Sequence, residues 1–456
     1  MRRNRFLLST IAFSTVLLHV AAARADQPAY FDSEAAMTAG SNMAVVHGAG
    51  AAWYNPAGLH DGNLNQFDLT GSAFVLRARD FSGVLQSELP SGRYDIGATA
   101  IDIQPIPAAL VYQRKLTDTV TAALGVFVTE SQAYDISGDL KRDEVFPSHD
   151  GPVHLEGRGD LSLQSQTYRI GPSFSIALSP RVRIGVSAYL YYAALRDSTI
   201  LRVIYSDPDG LGEASTSFRR KLSTFGGQLA VAAQVEPIDR FFLGITVRSP
   251  VISFGQTGTI RQEISGFSTG STYDGPDFAL TESPTPENTE GALLEPLKGT
   301  IGVAYKGDSF WVGAEADATM PMSTGSLVAR EKGGFNVRAG ARFFFGGLYS
   351  LGFGLFTDRS TRELPTQVGG ESTDYYGFAS GFQWDTRYTI LENDKPRTLT
   401  FSTSISSRYA LGIAHVRGAL YAPRDATFLE MNALYPLQYD TLFHAFTVEL
   451  GAAMSF

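Results

Sequence analysis

The chain of 456 residues contains no cysteine. That absence excludes a disulfide framework, a thiolate metal site, a cysteine nucleophile and a lipidated N-terminal cysteine. Long apolar runs are also missing, apart from Phe6 to Ala22, which follows Arg2, Arg3 and Arg5 and leads into Ala23-Arg24-Ala25. A positive start, an apolar run and an A-x-A site describe a cleavable secretory leader rather than a transmembrane anchor. Residues 1–25 are therefore predicted to be a signal peptide, with the exported chain starting at Asp26. Positive charge is in deficit as well. Four of the 37 basic residues fall in the leader, so the remaining 33 face 46 acidic residues and the net charge moves from −9 to −13. Nucleic acid is excluded as a partner by that balance.

A soluble chain of this length would be expected to split into two or three domains, yet no linker or shift of composition marks a boundary. One large closed sheet avoids the difficulty. Glycine (46), phenylalanine (30) and tyrosine (20) are plentiful, as in strands that show one apolar and one polar face.

The clearest stretch runs from His444 to Phe456. Phe446, Val448, Leu450, Ala452, Met454 and Phe456 fall on one face, and Thr447, Glu449, Gly451, Ala453 and Ser455 on the other. A strict period of two over about 11 residues is the length a tilted strand needs to cross a bilayer. Val120 to Val128, Val182 to Tyr192 and Phe225 to Val235 repeat it. Strands are predicted near 65–76, 106–116, 119–130, 161–178, 181–196, 215–235 and 240–254, then near 298–306, 309–319, 335–345, 348–358, 373–390, 397–421 and 441–456.

Those fourteen strands are joined alternately by short links, such as Ser179-Pro180 and Gly346-Gly347, and by long polar stretches at 131–160, 197–214, 255–297, 320–334, 359–372 and 422–440. Short periplasmic turns and long external loops alternate in this way in outer-membrane barrels. The expected fold is all-β, a transmembrane antiparallel β-barrel of about 14 strands in the bacterial outer membrane. Outer-membrane lipid and lipopolysaccharide would surround it, and the barrel-assembly machinery would engage the C-terminal strand ending at Phe456.

Between the leader and the first strand, residues 26–64 do not alternate and are rich in Ala, Gly and Ser. They are predicted to form a small plug inside the lumen of a barrel spanning 65–456. The core of this segment runs from Met43 through His47-Gly48-Ala49-Gly50-Ala51-Ala52-Trp53-Tyr54-Asn55-Pro56-Ala57-Gly58-Leu59. It resembles the N-terminal signature of the long-chain fatty-acid transporter (FadL-type) family of outer-membrane proteins, in which an aromatic followed by Asn-Pro-Ala-Gly-Leu closes a plug inside a fourteen-stranded barrel. His47 and Gly48 stand where that family usually has acidic residues.

The resemblance implies passive uptake of hydrophobic small molecules, fatty acids or hydrocarbons, with release sideways through the barrel wall. The runner-up is a non-transporting barrel that anchors or hands on cargo proteins at the cell surface. Asn55, Pro56 and Ala57 are the motif residues; Asn before Pro favours a rigid turn, a structural role over ligand contact.

Proline removes a ladder hydrogen bond, and Pro172 falls inside the fourth predicted strand. There Leu161 and Leu163 are odd-numbered, whereas Tyr168, Ile170, Phe174, Ile176 and Leu178 are even. A phase slip, hence a bulge, is predicted between 164 and 168, and Gly171-Pro172 is the candidate border of a lateral opening.

No catalytic, cofactor or metal set emerges. His47, His60, His149, His154, His415 and His444 show no ligand spacing. Asp207-Pro208-Asp209-Gly210 reads as a turn rather than a calcium loop, and Gly48-Ala49-Gly50 follows no strand and cradles no phosphate. An outer-wall hydrolase would need a nucleophile beside His415; Ser402, Ser404, Ser406 and Ser407 lie more than about 25 Å away along the strand. An enzyme is not expected. Glu315, Asp317, Arg338 and Arg342 alternate with apolar residues and should line the lumen as a structural network.

Overall fold

Strict alternation of apolar and polar residues leaves a strand only one way to satisfy both faces, and a ring of such strands leaves no unpaired edge. A computed structural model describes residues 30–61, 65–80, 83, 85–95, 99–146, 151–207, 210–270, 278–282, 293–322, 332–361, 363–364, 370–392, 395–422 and 434–455. The predicted leader and Phe456 lie outside these residues. No described helix is long and apolar enough to cross a membrane.

The first strand, β1 (Asn65–Asp80), is followed by a short hairpin, β2 (Leu85–Leu89) and β3 (Gly92–Asp95), and by β4 (Thr99–Lys115) and β5 (Val120–Val145). Long strands β6 (Pro152–Ser179), β7 (Val182–Asp207) and β8 (Gly210–Ile238) come next. Then follow β9 (Phe241–Arg248), β10 (Ile252–Gly270), β11 (Phe278–Glu282), β12 (Lys298–Lys306), β13 (Phe310–Thr319), β14 (Gly334–Phe345) and β15 (Tyr349–Asp358). The last are β16 (Glu371–Glu392), β17 (Lys395–Tyr421) and β18 (Leu434–Ser455). Antiparallel neighbours run β1, β4 to β9, then β12 to β18, and β18 pairs again with β1, closing a barrel of 14 strands. The hairpin β2–β3 adds to the upper end of β17.

The faces fall as the alternation requires. Phe446 and Leu450 in β18 are 40% and 50% exposed, whereas Thr447 and Glu449 are buried. Outward Leu124, Ile184, Val186, Leu229 and Val231 continue the apolar band around the ring.

Two expectations change. The stretches 131–160 and 197–214, and the first part of 255–297, are not loops: β5 and β6 run on together to Val145 and Pro152, β7 and β8 to Asp207 and Gly210, and β10 pairs with β8 as far as Gly270. Beyond the apolar band both faces of a strand meet water or the lumen, so apolar alternation fades while the ladder continues.

The predicted phase slip in the fourth strand is also absent. Residues 161, 163, 165, 167, 169, 171, 173 and 175 of β6 are buried, and the even positions from 162 to 176 are exposed or half-buried. Leu161 and Leu163 point inward because the lumen there is itself apolar. The bulge lies opposite, in β5 between Val128 and Glu130.

Candidate functional site

The N-terminal segment, Tyr30 to Asp61, lies against inward-facing residues of the wall. Asp32 caps helix α1 (Ser33–Met37), its Oδ1 accepting from Ala35 N at 2.6 Å. Helix α2 (Ala51–Tyr54) ends at Asn55, and Pro56–Asp61 forms a 3₁₀ turn. Proline suits that first turn position because its missing N–H would be unpaired there anyway.

The motif residues meet backbone. Asn55 is fully buried; its Nδ2 donates to Met43 O at 3.1 Å and to Ala233 O of β8 at 3.3 Å, and its Oδ1 accepts from Ala57 N at 3.2 Å. Ala57 O accepts from Ser175 Oγ at 2.8 Å. Pro56 and Ala57 lie against Gly185 of β7 so closely that a Cβ there would collide with their backbone. Gly244, Gly340, Gly354 and Gly451 receive the segment in the same manner at other points of the ring.

Its charges are matched. Glu34 Oε1 accepts from Trp311 Nε1 at 2.7 Å, with Arg342 at 3.4 Å and His47 at 3.8 Å from its carboxylate. Burial opposes ionisation of Glu34, but Arg342 and His47 outweigh it and hold the carboxyl below its usual value. Asp32 lacks such cations: burial, then the charge of Glu34, pushes its carboxyl up to about 7. On the wall, Arg338 bridges Glu315 at 2.7 Å and Asp317 at 2.8 Å, and Lys298 reaches Asp317 at 3.0 Å. The expected charged network does line the lumen, with Glu34 of the N-terminal segment included.

The two sides of the segment differ. At the short-turn end, a cavity of about 1180 Å³ is lined by polar groups including Asp32, His47, Gln66, Arg342 and Gln383. Toward the long-loop end two apolar clusters face inward, beside buried polar groups such as Ser165, Thr167 and the Arg220–Asp197 pair. One cluster joins Leu163, Tyr191, Leu195, Phe218, Leu222, Val251, Ile260 and Leu293; another joins Ile136, Leu161, Leu201, Phe356, Tyr375 and Phe443. Between these clusters and the segment, Phe31, Trp53, Phe127 and Tyr189 pack edge to face or tilted, with ring centroids 4.7 to 5.9 Å apart along Phe31–Trp53, Phe31–Phe127, Trp53–Phe127, Trp53–Tyr189 and Phe127–Tyr189.

Arg169, missed in the sequence, stands at this boundary with 2% of its side chain exposed. It lies 5.3 Å over Trp53, donates to Gln228 Oε1 at 3.0 Å and contacts Glu295 and Thr129. The signal was available: an arginine at an odd, inward position of a strand whose even positions are apolar.

At Gly171 and Pro172 the ladder to β5 continues through Gly125 and Leu124; toward β7 these two residues form no pair, and the register is the same above and below them. A Cβ on Gly171 would collide with Ala188 O of β7. A longer interruption lies in the seventh strand, where Ser249-Pro250-Val251 separates β9 from β10.

Below it, β9 pairs with β12 up to Arg248 and Lys298. Above it, from Ile252 to Arg261, β10 pairs with β8 and has no strand on its other edge among the described residues; β11 meets it only from Gln262 to Gly266. The chain entering β12 turns inward instead: Tyr191 Oη donates to Leu293 O at 2.6 Å, and Val251 N to Glu295 O at 3.0 Å. Here proline stands where no neighbouring strand asks for its N–H.

Among the described residues no group of His, Asp and Glu could hold a metal ion. His154 pairs with Asp143 at 2.7 Å and His415 with Asp440 at 2.6 Å, both on the outer surface. Ser372 stands opposite His415 in register but is only 4% exposed, and Ser404 and Ser406 point inward.

No profile of a known protein family matches the sequence, and no curated protein does. Solved structures do. A Pseudomonas aeruginosa FadL homologue superposes with a TM-score of 0.56 at 12% identity over 93% of this chain and 98% of that one. This is the fold of the FadL-type channels. The CymD monoaromatic hydrocarbon channel gives 0.53 at 10% identity over 93% and 97% of the two chains, and the Ralstonia pickettii toluene transporter TbuX gives 0.52 at 11% over 93% and 98%. At these identities the FadL-type fold is what the chains share, so the functional reading rests on the lumen.

Proposed function

We propose that the protein is a bacterial outer-membrane channel for passive uptake of hydrophobic small molecules, with residues 26–64 acting as its plug. The observation that carries this reading is the apolar lumen toward the long loops, ending at the aromatic group around Trp53. A channel for hydrophilic solutes would not gather inward apolar side chains into clusters of this size; the charged pair among them, Arg220 with Asp197, is internally matched. The structural neighbours named as a toluene transporter and a monoaromatic hydrocarbon channel support it.

Lateral release is the second part of the proposal. A hydrophobic solute gains nothing from the polar cavity beneath the plug but loses water contact on entering lipid. The cluster of Val251, Ile260 and Leu293 adjoins the unpaired edge of β10, and Ile252 and Phe254, outside it, are 62% and 63% exposed. Solute resting on that cluster would leave between β10 and the shorter β12.

The test is uptake of labelled toluene and of a labelled long-chain fatty acid by cells lacking their own transporter. Uptake restored by the protein, with the preferred probe naming its substrate class, supports the channel. Surface-exposed, heat-modifiable protein that restores neither overturns it and favours the cargo-anchoring barrel.

A further inference from the structure

The outer surface of β7, β8 and β10 carries a charge arrangement that transport does not use. Arg196 in β7 lies directly opposite Lys221 in β8, and Arg219 in β8 directly opposite Arg261 in β10. All four side chains are exposed and point away from the lumen, unlike Arg220 between them, which turns inward to Asp197. Like charges directly opposite on one face of a sheet destabilise it. Two such pairs, two residues apart on a chain of net charge −9, call for an anion from outside.

Neighbouring acids supply it to one of the four only. On the same wall Asp160 is held by Arg158 and Glu213 by Arg202, while Glu263 engages Arg261 alone of the four. Among the described residues, no carboxylate meets Arg196, Arg219 or Lys221. Their cross-strand and flanking neighbours are neutral: Gln164, Ser198 and Thr259. These residues line a shallow cavity of about 890 Å³.

Height decides the kind of anion. The apolar band of this wall ends in the exposed rings of Tyr192, Phe225 and Phe254. Arg196 follows Tyr192, and Lys221 precedes Phe225, by four positions toward the long loops, about 13 Å along strands rising about 3.3 Å per residue. Tilt reduces this to roughly 9 Å above the band. A ligand there has acyl chains against the rings and a phosphate against the cations.

We propose that Arg196, Arg219, Lys221 and Arg261 form a binding site for the phosphorylated head group of an outer-leaflet glycolipid of the lipid A type. The proposal rests on the outer-membrane reading above but not on transport. Arginine forks take phosphate oxygens in pairs, which suits the three arginines.

The test is binding of bisphosphorylated lipid A, of the same lipid enzymatically dephosphorylated, and of inorganic phosphate to the full chain in detergent, by native mass spectrometry. Expected is at least a tenfold preference for the phosphorylated lipid, lost in an R196Q/R219Q/K221Q variant and retained in R202Q, with folding checked by heat-modifiable migration. If the triple variant does not fold, K221Q alone should lower the preference several-fold. Equal binding of both lipids, or a folded variant that keeps the preference, overturns the site. Displacement by equimolar inorganic phosphate reduces it to an adventitious anion site and also overturns it. Lipid discrimination without solute uptake would sink the channel and leave this site standing; uptake without discrimination would do the reverse.

Discussion

Asn55 donates its side-chain amide to the carbonyl of Ala233, 178 residues further along the chain, and so ties the N-terminal turn to the wall of the barrel. The same amide nitrogen holds Met43 O, and the oxygen holds Ala57 N. Asn55→Ala leaves these buried groups without partners, at about 1–3 kcal/mol. The barrel itself keeps its ladders, so heat-modifiable migration should be unchanged. The N-terminal segment should instead become sensitive to protease, and ion conductance in planar bilayers should rise. Unchanged protection would mean that the turn is held by its packing rather than by Asn55.

Steric fit gives an independent handle on the same contact. A methyl group on Gly185 would enter the backbone of Pro56 and Ala57, whereas one on Gly299 would meet nothing within 4 Å. Gly185→Ala should therefore loosen the segment by about 1–3 kcal/mol, the usual effect of overpacking. Gly299→Ala should be neutral in the same protease assay. Equal behaviour of the two variants would remove the close approach at Gly185.

The strand pattern was legible because lipid enforces it: the strand expected near 298–306 is β12 with those bounds. The hairpins above the band were not, since Gly157 to Asp160 carry no apolar side chain and Ile200-Leu201 and Val203-Ile204 put apolar residues on both faces. The phase slip expected before Pro172 failed for a related reason. The leucines at 161 and 163 were read as lipid-facing when they belong to an apolar lumen, and two apolar environments on opposite faces look like a slip. The break at Ser249-Pro250 sat at the end of a predicted strand, where a proline raises no question. Which strand lies beside β10 is a matter of register between distant segments, and single-strand periodicity carries no information about that.

Asp32 gives the segment a pH dependence of definite sign. Its carboxyl is raised to about 7 by burial and by Glu34, so the docked state binds the proton more tightly than the undocked one. Docking therefore strengthens as pH falls from about 7 toward the ordinary carboxylate value, and is weakest above 7. Glu34, held low, loses its contribution only below that window. Protease protection of the segment should thus be greater at pH 5.5 than at pH 8 at equal protease activity. Asp32→Asn should flatten the profile. A profile rising with pH would contradict the assignment.

A chain without cysteine allows the proposed exit to be locked directly. Val251, at the break in the seventh strand, and Leu293, on the segment that turns into the lumen, belong to one apolar cluster, and the backbones are joined by Val251 N donating to Glu295 O at 3.0 Å. A Val251→Cys, Leu293→Cys variant would, once oxidised, fix that segment against β10. If solute leaves beside β10, uptake of the preferred probe should fall at least tenfold on oxidation and recover on reduction, with each single variant unaffected. A pair introduced instead at Phe174 and Val186, which stand directly opposite each other on the outer face of β6 and β7, should leave uptake unchanged in a folded barrel. Uptake that survives oxidation at Val251 and Leu293, with the disulfide verified by mass, would mean that solute passes the plug into the polar cavity. The aromatic group around Trp53 would then be a gate rather than a floor.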